Sequence, residues 1–371
     1  GNNYSGTASV LDPATFQRIG RLNLVPDLEA RKQEISQDFT RILVYWFVQT
    51  FVGMGNDQLV DDIFPSKDGR MVFASRPSLG DVVAIRVADG SIAWRTRVSG
   101  YRSDHMALSP DGGTLLVSAS TANWVNAIDT ATGAITGGFP SGDQPHENNY
   151  SADGKTIFHA SIGSVFTAFD EPWMDFLKGD RRFEIVDAQT YKVKRVVRIG
   201  ERLAQAGQYG YSSAVRPMAI APDERFVYLQ LSFLHGFVEY DMQQDRVTRI
   251  ATLPLSDASR GVPRDQYLLD SAHHGLAINP AGTKLCAAAT MSNYVGIVRR
   301  SDFHTTVIPT GKTPYWSTNS ADGRYCYVSI ADADSVAVVD YATERLVAMV
   351  PVDRHPQRIR TGQLRMPPAG T

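Results

Sequence analysis

Three observations predict an all-β chain folded as a seven-bladed β-propeller of four-stranded blades. A turn built on Asp or Gly recurs along the chain, short apolar strands flank each copy, and most copies lie roughly 42 residues apart. The turn reads Ser66-Lys67-Asp68-Gly69, Ser109-Pro110-Asp111-Gly112, Ser151-Ala152-Asp153-Gly154, Ala221-Pro222-Asp223-Glu224, Asn279-Pro280-Ala281-Gly282 and Ser320-Ala321-Asp322-Gly323. Asp closes such a turn through its side chain, and Gly takes the position that needs a positive φ.

A second strand follows each turn, as in Met71-Val72-Phe73-Ala74-Ser75 and Tyr325-Cys326-Tyr327-Val328-Ser329. A third comes next, as in Trp124-Val125-Asn126-Ala127-Ile128-Asp129 and Ser335-Val336-Ala337-Val338-Val339-Asp340, and then a fourth rich in Val and Ile. The seventh repeat has to be assembled from both ends. Residues 2–12 read as a third strand, Phe16 to Leu24 as a fourth, and His355 to Arg360 as a first strand with no complete blade after it. Joining them closes the array and removes its open edges. The whole chain, 1–371, is then one propeller domain with insertions at 26–56, 170–184, 200–213 and 254–270.

Ser109-Pro110-Asp111-Gly112 and Ser335-Val336-Ala337-Val338-Val339-Asp340 resemble the repeat of the YVTN-type β-propellers, and the likeness covers nearly the whole chain. The resemblance implies the fold strongly and the activity hardly at all. Propellers of this type include lactonase-like enzymes, streptogramin-type lyases, amine dehydrogenase large subunits and purely binding proteins.

Composition narrows the field. The net charge is −2 with no basic block, which gives no electrostatic footprint for nucleic acid. The most apolar stretch, Ile42 to Met54, is too short for a membrane span. The opening Gly1-Asn2-Asn3-Tyr4 reads like the middle of a repeat, so a signal peptide removed upstream is expected. A secreted or periplasmic location follows, with the cytoplasm as the alternative. Cys286 and Cys326 fall on corresponding second strands of adjacent repeats. Two buried free thiols are the plainer expectation, and a single bridge is the other.

Among the insertions, residues 27–54 predict helix: Asp27 is a candidate N-cap, and the apolar run forms a second helix or a continuation. Trp46, Phe47 and Phe51 are expected either to wall a pocket or to brace the first blades. The insertions at 170–184, 200–213 and 254–270 are long enough to act as lids or binding loops.

Histidines carry the chemical signal. His105, His146, His273, His274 and His355 precede or begin first strands, where innermost strands start together. Corresponding places hold Asp61-Asp62, Arg216 and Tyr315-Trp316. Imidazoles gathered this way suit one divalent metal ion, with His105, His146, His274 and His355 as ligands. They equally suit general acid–base work, with Arg216 stabilising an anion and Tyr315 donating a proton. Trp46, Glu147, Asn148, His273, Trp316 and Gln357 are the expected substrate contacts. His159, His235 and His304 read as packing or surface residues. No G-x-S-x-G elbow, Walker loop or Rossmann fingerprint is present. The expectation is an enzyme acting beside a carbonyl of a small organic molecule, of lyase or isomerase type, with metal dependence open. A non-catalytic ligand- or protein-binding propeller is the alternative.

Overall fold

The computed structural model describes residues 1–165 and 172–366. It has the predicted all-β, seven-bladed propeller fold. Six sheets each contain four strands consecutive in sequence. The seventh has two strands, Thr7–Leu11 paired with Arg18–Asn23, and the expected first strand from His355 to Arg360 is reduced to a bridge between Asn2, which also bridges Thr7, and Pro356. The seam is held by backbone bonds from Asn3 N to His355 O (2.9 Å) and from Gln357 N to Gly1 O (2.9 Å). Contacts group the chain into two compact units. Unit 1 comprises Gly1–His159, Glu184–Arg195 and Val352–Thr371, and unit 2 comprises Ala160–Phe183 and Val196–Pro351.

The repeating turn works as its residues suggest. In the first copy Ser66 Oγ donates to Asp68 Oδ1 (2.7 Å), which also accepts from Arg70 N (3.1 Å), and Met71 N donates back to Ser66 Oγ (2.9 Å). Gly69 sits at φ +71°, a conformation that costs glycine nothing. The hydroxyl and amide that converge on Asp68 hold its carboxyl below the usual range.

Successive strand residues point to opposite faces, and here both faces are buried. In unit 1, Val72, Ala74, Val83 and Ile85 pack with Ala8, Leu22 and Leu24 of the seam sheet. Their neighbours Phe73, Val82 and Ala84 pack the other way, with Met106, Leu115 and Val117. This double burial explains why the strands read as continuous apolar runs rather than strict alternation. In unit 2, Leu285 and Ala287 join Tyr228 and Phe237, whereas Cys286 and Ala288 join Cys326 and Val328.

Cys286 and Cys326 are joined by a disulfide. The expectation of two free thiols is therefore corrected. Adjacent second strands bring the two Cα atoms to 6.5 Å, within bridging reach.

The first insertion forms helices α1 (Leu28–Ile35) and α2 (Phe39–Phe47), and a π-turn (Val48–Val52) continues α2. Asp38 caps α2 by accepting from Arg41 N at 3.2 Å. Asp27 does not cap α1 with its side chain; it is drawn instead into an ion-pair network. In that network Arg76, fully buried, grips Asp81 with Nε (2.7 Å) and Nη2 (3.0 Å). Arg31 of α1 adds a bond to Asp81 Oδ2 (3.0 Å) and one to Leu79 O (3.1 Å). The helices are thus pinned to the sheet turn at 76–81 by charge as well as by the apolar contacts of Ile35, Leu59 and Leu79.

The insertion at 200–213 contains α3 (Ile199–Gln205), and that at 254–270 contains short turns at Arg264–Gln266 and Leu268–Asp270. In the insertion at 170–184, Asp170 and Glu171 lie outside the described residues. No helix among the described residues is long and apolar enough to cross a membrane.

Candidate functional site

Unit 1 gathers an unusual amount of buried charge where its first strands begin. Asp61 and Asp62 precede Ile63–Pro65, Asp104 and His105 lie on Ser103–Leu108, and His146 and Glu147 lie on Pro145–Tyr150. All six side chains are buried, and the C-terminal segment adds Arg358, which is buried as well. Burying so many ionisable groups is costly unless each is paired, so the pairing defines the site.

Arg360 binds Asp62 with Nε (3.1 Å) and Nη2 (2.7 Å), and Asp62 also accepts from Ile63 N (2.8 Å) and Met106 N (3.0 Å). Arg102 takes Asp104 at 2.6 Å. Glu147 Oε2 lies 2.6 Å from His105 Nδ1, and the Arg358 guanidinium donates to His105 Nε2. Arginine has donors only, so a neutral His105 that accepts from Arg358 at Nε2 carries its proton on Nδ1, facing Glu147, while Asp61 and Asp104 oxygens lie 3.8 Å from Nε2. The ring of His146 lies 3.7 Å from that of His105.

Burial pushes the carboxyls of Asp61 and Glu147 up to about 7, against the opposing pull of Arg358 on each. Glu147 therefore binds its proton more tightly in the folded chain than in the unfolded one, where its value is 4.5. The penalty for ionising it is absent below pH 4.5, grows as the pH rises, and is complete above about 7. Glu147→Gln keeps an acceptor for His105 and removes the charge. Its stability relative to the parent is expected to rise by about 3 kcal/mol between pH 4.5 and 8, read from urea unfolding at each pH. A flat difference would show that Glu147 is solvated. Comparing variant with parent also cancels His273, which burial lowers to about 3 and whose contribution runs the other way.

Asp61, Asp104 and His105 form a buried donor group that could hold a metal ion, their ligand atoms lying within 4.8 Å of one another. Asp61 Oδ2 has no hydrogen-bond partner among the described residues. The guanidinium of Arg358 lies 3.8 Å from that oxygen and donates to His105 Nε2. The three residues fit a divalent cation in charge and donor type, with Arg358 as a second positive group beside them.

The remaining expected residues are placed as follows. In unit 1, His355 stacks on Tyr4 at 3.9 Å, and Gln357 is buried at the seam. Asn148 bonds Ser118 Oγ (2.8 Å) and His159 Nδ1 (2.8 Å), so it and His159 brace the sheet. Trp46 is 54% exposed on the outward side of α2, against Phe51.

In unit 2, His274 stacks on Tyr315 at 4.0 Å, and Trp316 Nε1 donates to Thr318 Oγ1 at 3.0 Å. Arg216, expected to stabilise an anion, donates to Ser232 Oγ (3.1 Å) and to Leu269 O of the insertion at 254–270. His273 is fully buried, with neither ring nitrogen hydrogen-bonded among the described residues, and the ring of His235 lies 5.8 Å away. His235 is partly buried with Nε2 2.8 Å from the Tyr267 hydroxyl, and His304 is exposed.

Sequence reasoning missed Arg102, Arg358 and Arg360 and gave Asp61, Asp62 and Asp104 no role. The signal existed. These residues share the first-strand register of the histidines, but histidine was weighed there and charge was not.

The site and fold define a β-propeller protein with a buried, charged histidine centre. No family model matches the chain, and no curated protein matches it in sequence. Among solved structures it is similar to a chain titled "Kuenenia stuttgartiensis Hydrazine Synthase". That match has a TM-score of 0.61 and 16% identity, and covers 81% of this chain and 88% of that one. Such a likeness shows the fold alone. With 1660 solved chains matching, the fold is common and does not select a chemistry.

Proposed function

We propose that unit 1 is a proton-transfer site for a small organic molecule bearing a carbonyl or carboxylate, in a YVTN-type propeller, with chemistry of lyase or isomerase type. The observation that carries this reading is His105 held between Glu147, 2.6 Å from Nδ1, and the Arg358 guanidinium at Nε2. A substrate oxygen takes over the guanidinium of Arg358, which releases Nε2. The nitrogen then accepts a proton from the carbon beside the carbonyl. Glu147 steadies the imidazolium, Arg358 pairs with the developing oxyanion, and Asp61, with its carboxyl near 7, is poised to pass a proton. The disulfide favours an oxidising compartment, consistent with secretion or the periplasm.

The test is solvent exchange. The chain is incubated in D2O with a panel of 2-oxo acids, unsaturated acids and lactones, and loss of the α-proton signal is followed by NMR. The parent is expected to exchange at least one panel member, and His105→Ala to be slower by about 100-fold or more. An unaltered rate in His105→Ala would sink the proposal, as would binding without exchange, which is the behaviour of a non-catalytic propeller. Elemental analysis runs in parallel. One equivalent of a divalent metal, lost in Asp61→Asn, would replace this mechanism with a metal-dependent one.

A further inference from the structure

We propose that the outward face of α2 and its π-turn is the interface through which two copies of this chain form a dimer. The inference is independent of the proton-transfer reading.

The helix is amphipathic in an inverted sense. Its inner stripe, at Arg41, Tyr45, Val48 and Val52, packs on unit 1, and the Arg41 side chain is neutralised there by Glu34 at 3.0 Å. The outer stripe is more apolar than the inner one. Phe39, Leu43, Trp46, Phe47 and Phe51 follow helical spacing, Met54 lies just past the π-turn, and the six expose from 37% to 73% of their surface. Within the stripe Trp46 meets Phe51 edge-on at 5.7 Å, and Phe47 meets Phe51 at 5.0 Å. Large side chains of this kind each carry about 200 Å², so the ridge presents on the order of 600–700 Å² of apolar surface. That exceeds what a monomer commonly leaves in one patch, and it approaches the roughly 800 Å² per partner of a stable interface.

Charge decides the occupant. A helix that lies on an anionic membrane carries Lys and Arg along its polar edge. Here the edges are Gln37, Asp38, Thr40, Gln49, Thr50 and Asn56. The nearby cations are already engaged, Lys32 with Asp57 at 3.0 Å and Arg41 with Glu34. An uncharged aromatic ridge about 18 Å long from Phe39 to Phe51 has the same requirement at every point, and an antiparallel copy of itself meets that requirement. The two-fold axis then passes near Trp46 and Phe47, the midpoint of the stripe.

Sedimentation of the full chain tests this. The expected mass is twice 40.8 kDa at micromolar concentrations. In Trp46→Glu/Phe51→Glu the monomer is expected, with dissociation strengthened at least 100-fold and thermal stability nearly unchanged, because these side chains support little of their own unit. Should that variant misfold, Phe47→Cys serves instead. Both natural cysteines are bridged, so the new thiol is unique and is expected to cross-link two chains under mild oxidation. A chain monomeric at every concentration tested overturns the proposal. So does a dimer that neither variant affects, or a monomer that co-sediments with phosphatidylcholine–phosphatidylglycerol vesicles.

Discussion

Arg76→Ala is expected to destabilise unit 1 by about 3–5 kcal/mol, a large fraction of the stability of an ordinary domain. Arg76 and Asp81 are both fully buried, and Asp81 would keep only Arg31 as a charged partner after the substitution. Asp27, which Arg76 grips with both terminal nitrogens, would lose that partner too. The effect is a penalty for a stranded buried carboxylate rather than the worth of one bond, so Arg76→Ala/Asp81→Ala should recover part of the loss. Urea unfolding followed by tryptophan fluorescence measures both. A loss below about 1 kcal/mol in the single variant would mean that water reaches the network and that the helices are held by apolar contacts alone.

The second large effect belongs to unit 2. Cys286→Ala/Cys326→Ala opens a loop with a sequence separation of 40, and the expected cost is about 4 kcal/mol on the chain-entropy account. The loss should be local. Amides of Lys284–Ala289 and Tyr325–Ile330 are expected to exchange faster with deuterium, while those of Met71–Arg76 in unit 1 keep their protection. Uniform loss of protection would show one cooperative unit, and no change would mean that packing of Ala288, Val328 and Val339 holds the strands without the bridge.

What could be read from the sequence divides along physical lines. The turn Ser109-Pro110-Asp111-Gly112 was legible because its chemistry is local: Asp111 accepts from Ser109 Oγ and Gly113 N within the same few residues. Strand identity was legible because each blade must bury two faces, which Val72 and Phe73 do in opposite directions. The meeting of His105 with His146 followed from register alone. Pairing across long stretches did not. Arg358 reaches His105 over 253 positions, and nothing local in the C-terminal segment singles it out.

Helix α2 failed for a different reason. A hydrophobic run shows that a helix has an apolar stripe but not which stripe faces inward, and here a buried Arg41 turned the aromatic side out. The free-thiol expectation failed because periodicity places Cys286 and Cys326 on matching strands without fixing the approach of their Cβ atoms.

The seam between residues 1–3 and 355–358 also has a bearing on the order of events during synthesis. Asn3 cannot meet His355 until the residues between them have been made, so this sheet completes after the six four-stranded ones. Until then the pair Thr7–Leu11 and Arg18–Asn23 lacks the bridge from Asn2 to Pro356, and its open margin is one for chaperones to cover. Contacts between such distant positions also close slowly, which makes the final stitch the natural rate-limiting step of folding.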